Sequence, residues 1–107
     1  MKEDAQLVEA IVGEMGALFL GGVVTKRTSF RFTLESCSIT VLIDGDGYEV
    51  AGDSSAAVDC SCRTNSAMFG KIWYDGYKPG IMDFLGGSIV CNAPLLLPQF
   101  LRAFGKM

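Results

Sequence analysis

Residues 58–92 read VDCSCRTNSAMFGKIWYDGYKPGIMDFLGGSIVCN, and their pattern limits the possible folds more than any other part of the chain does. At its start, Cys60 and Cys62 alternate with polar residues, which is typical of a half-buried strand with both cysteines on its inner face. At its end, residues 88–92 alternate in the same way and predict a last strand. Two helical segments lie between these strands, so the stretch predicts the order strand, helix, helix, strand.

The two predicted helices are short and clearly bounded. Asn65 or Ser66 is suited to cap the first, and Gly76 is suited to end it. The second opens at Pro79 and ends at Gly86, which is followed by another glycine. Both segments carry apolar residues at helical spacing.

Upstream, the same alternation predicts a sheet. Residues 29–35 and 39–43 each place apolar residues on one side, and residues 44–47, DGDG, form a strong turn signal before a further short strand at 48–50. An amphipathic helix precedes these strands, with an apolar face between residues 7 and 19.

Downstream, a last helix is predicted to start at Pro98, because proline suits the first helical position. The order helix, strands, helices, strand, helix predicts a single α+β domain over residues 1–107, with helices packed on one face of a mainly antiparallel sheet.

Composition limits the function. Half of the 107 residues are hydrophobic and 20% are charged, yet no apolar run approaches the roughly 18 to 20 residues of a membrane-spanning helix. The acidic start, MKED, lacks the positive region of a signal peptide, which predicts a cytoplasmic location. With a net charge of −3 and no basic cluster, nucleic acid is not an expected partner. The apolar residues must fill a core, line a cavity or cover an interface.

Chemistry-bearing residues are scarce. The chain has no histidine, which removes the commonest general base and the commonest metal ligand together, and most hydrolase mechanisms with them. We expect no catalytic residue, no cofactor and no enzymatic activity. A zinc site would need Cys37, Cys60, Cys62 and Cys91, none of which shows Cys-x-x-Cys spacing, so we also predict no metal site. These cysteines are expected to be buried thiols, although a redox role for Cys60 or Cys62 is a third, enzymatic hypothesis.

The apolar second half favours a ligand cavity. Short helices with Gly and Pro boundaries part more readily than long ones, which suits a lid over an apolar cavity. The candidate wall residues are Met68, Phe69, Ile72, Trp73, Ile81, Phe84, Leu85, Leu97, Phe100, Leu101 and Phe104. Taken singly, each is more easily explained as core, because apolar stripes at helical spacing usually just pack.

The chain from Val58 onward resembles the sterol carrier protein 2 family. The resemblance rests on the order of Asp59-Cys60, the helix from Asn65 to Trp73, Gly76, Pro79, Phe84, Gly86-Gly87, Ile89 and Cys91. It implies a five-stranded sheet with helices on one face and an apolar tunnel between them that accepts fatty acyl chains, sterols or similar lipids.

Two non-catalytic functions follow from these expectations. The first is binding, with transfer as its extension, of a fatty acid, acyl ester or sterol-like lipid, with transient contact with a membrane. The alternative is an assembly module in which the cavity has collapsed and the apolar surplus forms a homodimer interface.

Overall fold

A computed structural model of the chain describes residues 2–52 and 57–106. In chain order the helices and strands are α1 (Lys2–Leu18), β1 (Thr28–Thr33), β2 (Ser38–Ile43), β3 (Tyr48–Gly52), β4 (Cys60–Arg63), α2 (Ser66–Asp75), α3 (Ile81–Leu85), β5 (Val90–Cys91) and α4 (Leu97–Ala103). The predicted α+β class is confirmed. Among the described residues, none of the helices combines the length and the apolar character needed to cross a bilayer.

The five strands form one mixed sheet in the order β3-β2-β1-β4-β5. Three of the neighbouring pairs are antiparallel, and β1 pairs with β4 in parallel, so the sheet is mainly antiparallel as predicted. Strand β1 lies at the centre, where Phe32 is level with Ile39 of β2 and Cys62 of β4. The inner residues of β1 are therefore flanked by apolar neighbours on both sides.

The helices cover the face of the sheet that carries Phe30 and Phe32. The ring of Phe32 lies 5.3 Å from that of Phe69 in α2 and 4.6 Å from that of Phe100 in α4. Helix α1 adds Ile11, which is fully buried in the same core. Because the outward residues of β1 are only half-buried, the prediction of helices on one face is confirmed.

Local signals set the ends of α2 and α4. The Asn65 side-chain oxygen accepts a hydrogen bond from the Met68 N–H at 2.7 Å, and Gly76 ends α2 in the left-handed conformation at φ 69°. Helix α4 begins at Leu97, one residue before the predicted start, so Pro98 lies inside its first turn.

The last strand is shorter than predicted. Instead of residues 88–92, β5 consists of Val90 and Cys91. The Ile89 N–H donates a hydrogen bond to the Asp83 carbonyl of α3 at 3.1 Å, so this N–H does not pair with β4. The sheet therefore gains only a short edge strand, although the Asn92 N–H still donates to the Ser61 carbonyl at 3.2 Å.

Candidate ligand site

Seven of the predicted wall residues meet in the core between the sheet and the helices. All seven are at most 5% exposed, and they are Phe69, Ile72, Trp73, Leu97, Phe100, Leu101 and Phe104. Phe100 lies at their centre, with its ring 5.3 Å from Phe30 and 5.1 Å from Phe104. Such aromatic packing stabilises the fold whether or not a ligand is bound.

Two small apolar gaps interrupt this packing. The inner gap, about 10 Å³, is lined by Phe32, Cys62, Thr64, Phe69, Ile72, Ile89, Leu97 and Leu101. The outer gap, about 50 Å³, is lined by Pro79, Phe84, Pro94, Leu97, Pro98 and Leu101. Leu97 and Leu101 line both gaps and so separate them. Since lipid-sized ligands need roughly 300 to 1,000 Å³, the structure does not show the tunnel that the resemblance implies.

Helix α3 covers the outer gap but is weakly embedded. None of its five residues is buried, and Phe84 is the one that lines the outer gap. Ile81 and Leu85, both predicted as wall residues, are instead 73% and 74% exposed. Their apolar spacing correctly indicated a helix but not its orientation, because so short a helix turns only one of its large side chains inward.

A single carboxylate holds α3 in place. Asp83 accepts hydrogen bonds from the Tyr77 hydroxyl at 2.6 Å and the Gly80 N–H at 2.8 Å. These two bonds lower the pKa of Asp83, and the same contact raises the pKa of Tyr77. We call the three residues the Asp83 latch.

Exposed apolar residues concentrate around this cover. Five of the eight large hydrophobic side chains described as exposed lie between residues 81 and 95: Ile81, Met82, Leu85, Val90 and Leu95. We call these five residues the α3 patch. Ile81, Met82 and Leu85 all lie in the five-residue helix α3, and grouped apolar surface marks contact with another apolar surface more often than isolated exposed residues do.

Met68, the remaining predicted wall residue, lies away from the gaps. It is half-buried and lines an open depression of about 730 Å³ beside α2, where Lys71, Asp75 and Ser88 also lie. Because this depression is open and partly polar, it differs from the enclosed apolar site predicted from the sequence.

Three thiols meet where β4 pairs with β5. The Cys60 Sγ atom lies 3.6 Å from the Sγ atom of Cys62 and 3.6 Å from that of Cys91. The Sγ atoms of Cys62 and Cys91 are 2.7 Å apart. Contact with Cys62 lowers the pKa of Cys60, whereas contact with Cys60 and burial raise that of Cys62. Burial also raises the pKa of Cys91. The spacing of cysteines along the chain did not reveal this cluster, because the pairing of β4 with β5 brings Cys91 next to Cys62.

Comparison with known proteins identifies the fold class. No family model matches the chain, and no curated protein matches it. Ten chains of solved structures do match. The chain has a sterol carrier protein 2-like fold, as the resemblance predicted.

One matching structure is named "UbiJ-SCP2 Ubiquinone synthesis protein". It superposes with a TM-score of 0.57 at 13% sequence identity, over 88% of this chain and 73% of that one. At this level of identity the likeness is one of fold.

Proposed function

We propose that the chain binds an apolar ligand without catalysis, between the sheet and helices α2 to α4. One observation carries the proposal: Leu97 and Leu101 line two apolar gaps, and the outer gap lies beneath α3, a cover with no buried residue of its own. Rotation of these two side chains and displacement of α3 would join the gaps into one site. The closed structure is then the ligand-free state.

Burial of the ligand supplies the driving force. A chain that removes roughly 400 Å² of apolar surface from water gains about 10 kcal/mol, at about 25 cal/mol per Å². Part of this gain offsets the opening of α3 and the lost freedom of the ligand. Thr64 is the one polar residue beside the cysteine in the inner lining, so the site suits a fatty acid tail, an acyl ester or a sterol-like lipid.

Contact with a membrane would assist the exchange of such a ligand. The α3 patch lies on the cover and on the segments that flank it, so docking of the patch on a bilayer places the opening site beside the lipid. Exchange of a fluorescent fatty acid from vesicles tests this step. We expect Leu85→Ser to slow exchange from vesicles, while Leu20→Ser, which also replaces an exposed leucine but lies outside the patch, leaves it unchanged.

The matching structure suggests one more ligand for testing. Its name refers to ubiquinone synthesis, and ubiquinone itself is an apolar molecule. We therefore include ubiquinone with palmitate and cholesterol among the ligands to be offered.

Native mass spectrometry of the freshly purified protein, followed by organic extraction, is the primary test. We expect a stoichiometric lipid adduct, or uptake of one of the three offered ligands. Leu101→Phe should reduce this uptake because the larger ring fills the gaps, whereas Leu95→Phe should not, because Leu95 is 87% exposed. A ligand-free mass in the presence of all three ligands would contradict the proposal.

The closed interior also favours the assembly alternative. If the gaps never open, the α3 patch is the natural interface of a homodimer, which typically buries about 800 Å² on each partner. Concentration-dependent mass without bound lipid, abolished by Leu85→Ser, would support this function instead. The redox hypothesis is tested separately: unimpaired function of a Cys60→Ser, Cys62→Ser variant would remove it.

A further inference from the structure

We propose that Cys60, Cys62 and Cys91 form a binding site for one soft, thiophilic divalent cation of the zinc type. The inference does not depend on lipid binding. It departs from the expectation of no metal, which relied on Cys-x-x-Cys spacing along the chain. The cluster is instead built by strand pairing.

The backbone brings the three thiols together. Cys60 and Cys62 are alternate residues of β4 and share its inner face. Cys91 lies directly opposite Cys62 in the antiparallel pair. The neighbouring pair, Ser61 and Asn92, is joined by a backbone hydrogen bond from the Asn92 N–H to the Ser61 carbonyl. Since hydrogen-bonded and non-hydrogen-bonded pairs alternate along an antiparallel ladder, Cys62 and Cys91 form a non-hydrogen-bonded pair, the kind in which side chains approach most closely.

A second hydrogen bond fixes this pairing. The Asn92 side-chain oxygen accepts from the Ser61 N–H at 2.7 Å, in addition to the backbone bond between the same two residues. Because β5 has only two residues, this double contact sets the position of Cys91 relative to β4. Asn92 is thus a positioning residue for the cluster.

The distances suit tetrahedral thiolate ligation. With Zn–S bonds of about 2.3 Å, the sulfur atoms of a tetrahedral site are roughly 3.8 Å apart. The two separations that involve Cys60 are 3.6 Å, close to this value. The 2.7 Å separation between Cys62 and Cys91 must widen by about 1 Å to reach it, and the half-buried Cys91 on a short edge strand has room to do so.

The donor set selects the chemistry. Three sulfur atoms favour soft cations such as Zn²⁺ over Mg²⁺ or Ca²⁺, which require oxygen ligands. The Ala93 carbonyl oxygen lies 3.6 Å from the Cys60 Sγ and closes one side of the cluster, leaving a fourth position for water. Three thiolates carry a charge of −3, so a divalent cation reduces the net charge of the site to −1, whereas a monovalent cation would leave −2.

A cation also resolves an electrostatic problem. Cys60 and Cys62 are at most 2% exposed, and three adjacent thiolates in an apolar interior would repel one another. The thiolate, not the thiol, is the form that ligates a metal ion. Binding must therefore release protons and weaken as the pH falls.

Cadmium titration of the fully reduced full-length protein, under anaerobic conditions, tests the site. We expect one Cd²⁺ per chain by native mass spectrometry, with thiolate-to-cadmium charge-transfer absorption in the ultraviolet. Cys91→Ser should weaken binding by at least about 100-fold, since even the loss of outer hydrogen-bond partners of metal ligands costs about 10 to 100-fold. Cys37→Ser is the matched control, because Cys37 lies in the turn between β1 and β2 and outside the cluster.

Other outcomes overturn the proposal. Absence of charge-transfer absorption in the reduced protein, or equal weakening by Cys37→Ser and Cys91→Ser, would show that the cluster holds no cation. A Cys62–Cys91 disulfide that persists in the protein purified under reducing conditions would do the same. Asn92→Ala keeps every thiol and should weaken Cd²⁺ binding without abolishing it, and a circular dichroism spectrum equal to that of the unsubstituted protein separates lost positioning from a general loss of structure. Lipid retention by Cys91→Ser, measured in parallel, keeps the two proposals independent.

Discussion

Replacing Leu101 with alanine measures whether the interior is closed. Leu101 is 2% exposed and lies between the inner and outer gaps. The substitution removes three carbon groups, worth about 2.4 kcal/mol at about 0.8 kcal/mol each. A remaining void of roughly 40 Å³ adds about 1 kcal/mol at about 24 cal/mol per Å³. We therefore expect the free energy of unfolding to fall by about 3 kcal/mol.

The assay is urea unfolding of delipidated protein, followed by the fluorescence of Trp73, the only tryptophan in the chain. This ring lies 6.4 Å from that of Phe100 and 5.8 Å from that of Phe104, so it reports on the core that contains the substitution. Leu85→Ala is the matched control. It makes the same chemical change at a side chain that is 74% exposed, and it should alter the free energy by less than about 0.5 kcal/mol.

A small effect of Leu101→Ala on stability would contradict a closed interior. If Leu101→Ala and Leu85→Ala destabilise the protein equally, Leu101 faces an open cavity in solution and the closed interior is wrong. If the loss is near 3 kcal/mol and an added ligand restores more stability to Leu101→Ala than to the unsubstituted protein, the enlarged gap is the binding site. Such recovery follows from preferential binding to the folded state.

Three further changes test the elements around the site. The Asp4 carboxylate accepts hydrogen bonds from the Ser36 N–H and hydroxyl, which lower its pKa from 3.8. Its contribution to stability is therefore present above about pH 4 and is lost as the pH falls through the lower pKa of the folded state. Asp4→Asn should flatten the acid side of a plot of unfolding free energy against pH, and an unchanged plot would contradict this. Asp83→Ala removes the acceptor of the Tyr77 hydroxyl and should speed amide hydrogen exchange over residues 81–89, measured against unchanged exchange in β2. Asn65→Ala removes the cap of α2 and should lower the free energy of unfolding by about 1 kcal/mol in urea, whereas a loss near zero would show that the cap is dispensable.

The parts of the fold that were predictable are those encoded by neighbouring residues. Asn65 and Gly76 bound α2 through contacts within a few residues, so their sequence signals were sufficient. Alternation placed Phe30 and Phe32 on the inner face of β1 because strand periodicity does not depend on the partner strand. The burial of seven of the predicted wall residues was predictable for a similar reason, since helical spacing marks the face that packs, whereas their contact with a ligand stays a prediction.

The remaining features depend on contacts between distant residues. The outward orientation of Ile81 and Leu85 is set by how α3 docks through Asp83, which helical spacing does not encode. The position of Cys91 opposite Cys62 is set by the register of two strands 29 residues apart. Both features arise in segments too short to fix their own orientation, and both bear on function.

The small gap beneath α3 and the exposed apolar side chains on its surface have a common physical explanation. Phe84 of α3 lines the outer gap, which is too small for a ligand, while Ile81, Met82 and Leu85 remain exposed to water at an energetic disadvantage. Full burial of such side chains is worth about 1.5 to 3 kcal/mol each, so docking three of them on an apolar surface would gain several kcal/mol. The latch that resists this movement consists of one exposed and one part-buried hydrogen bond, and water can replace the exposed one. Opening would also expose Phe84 and the lining of the outer gap, which an apolar surface can cover and water cannot. We therefore infer that ligand exchange is coupled to docking rather than to spontaneous opening in solution.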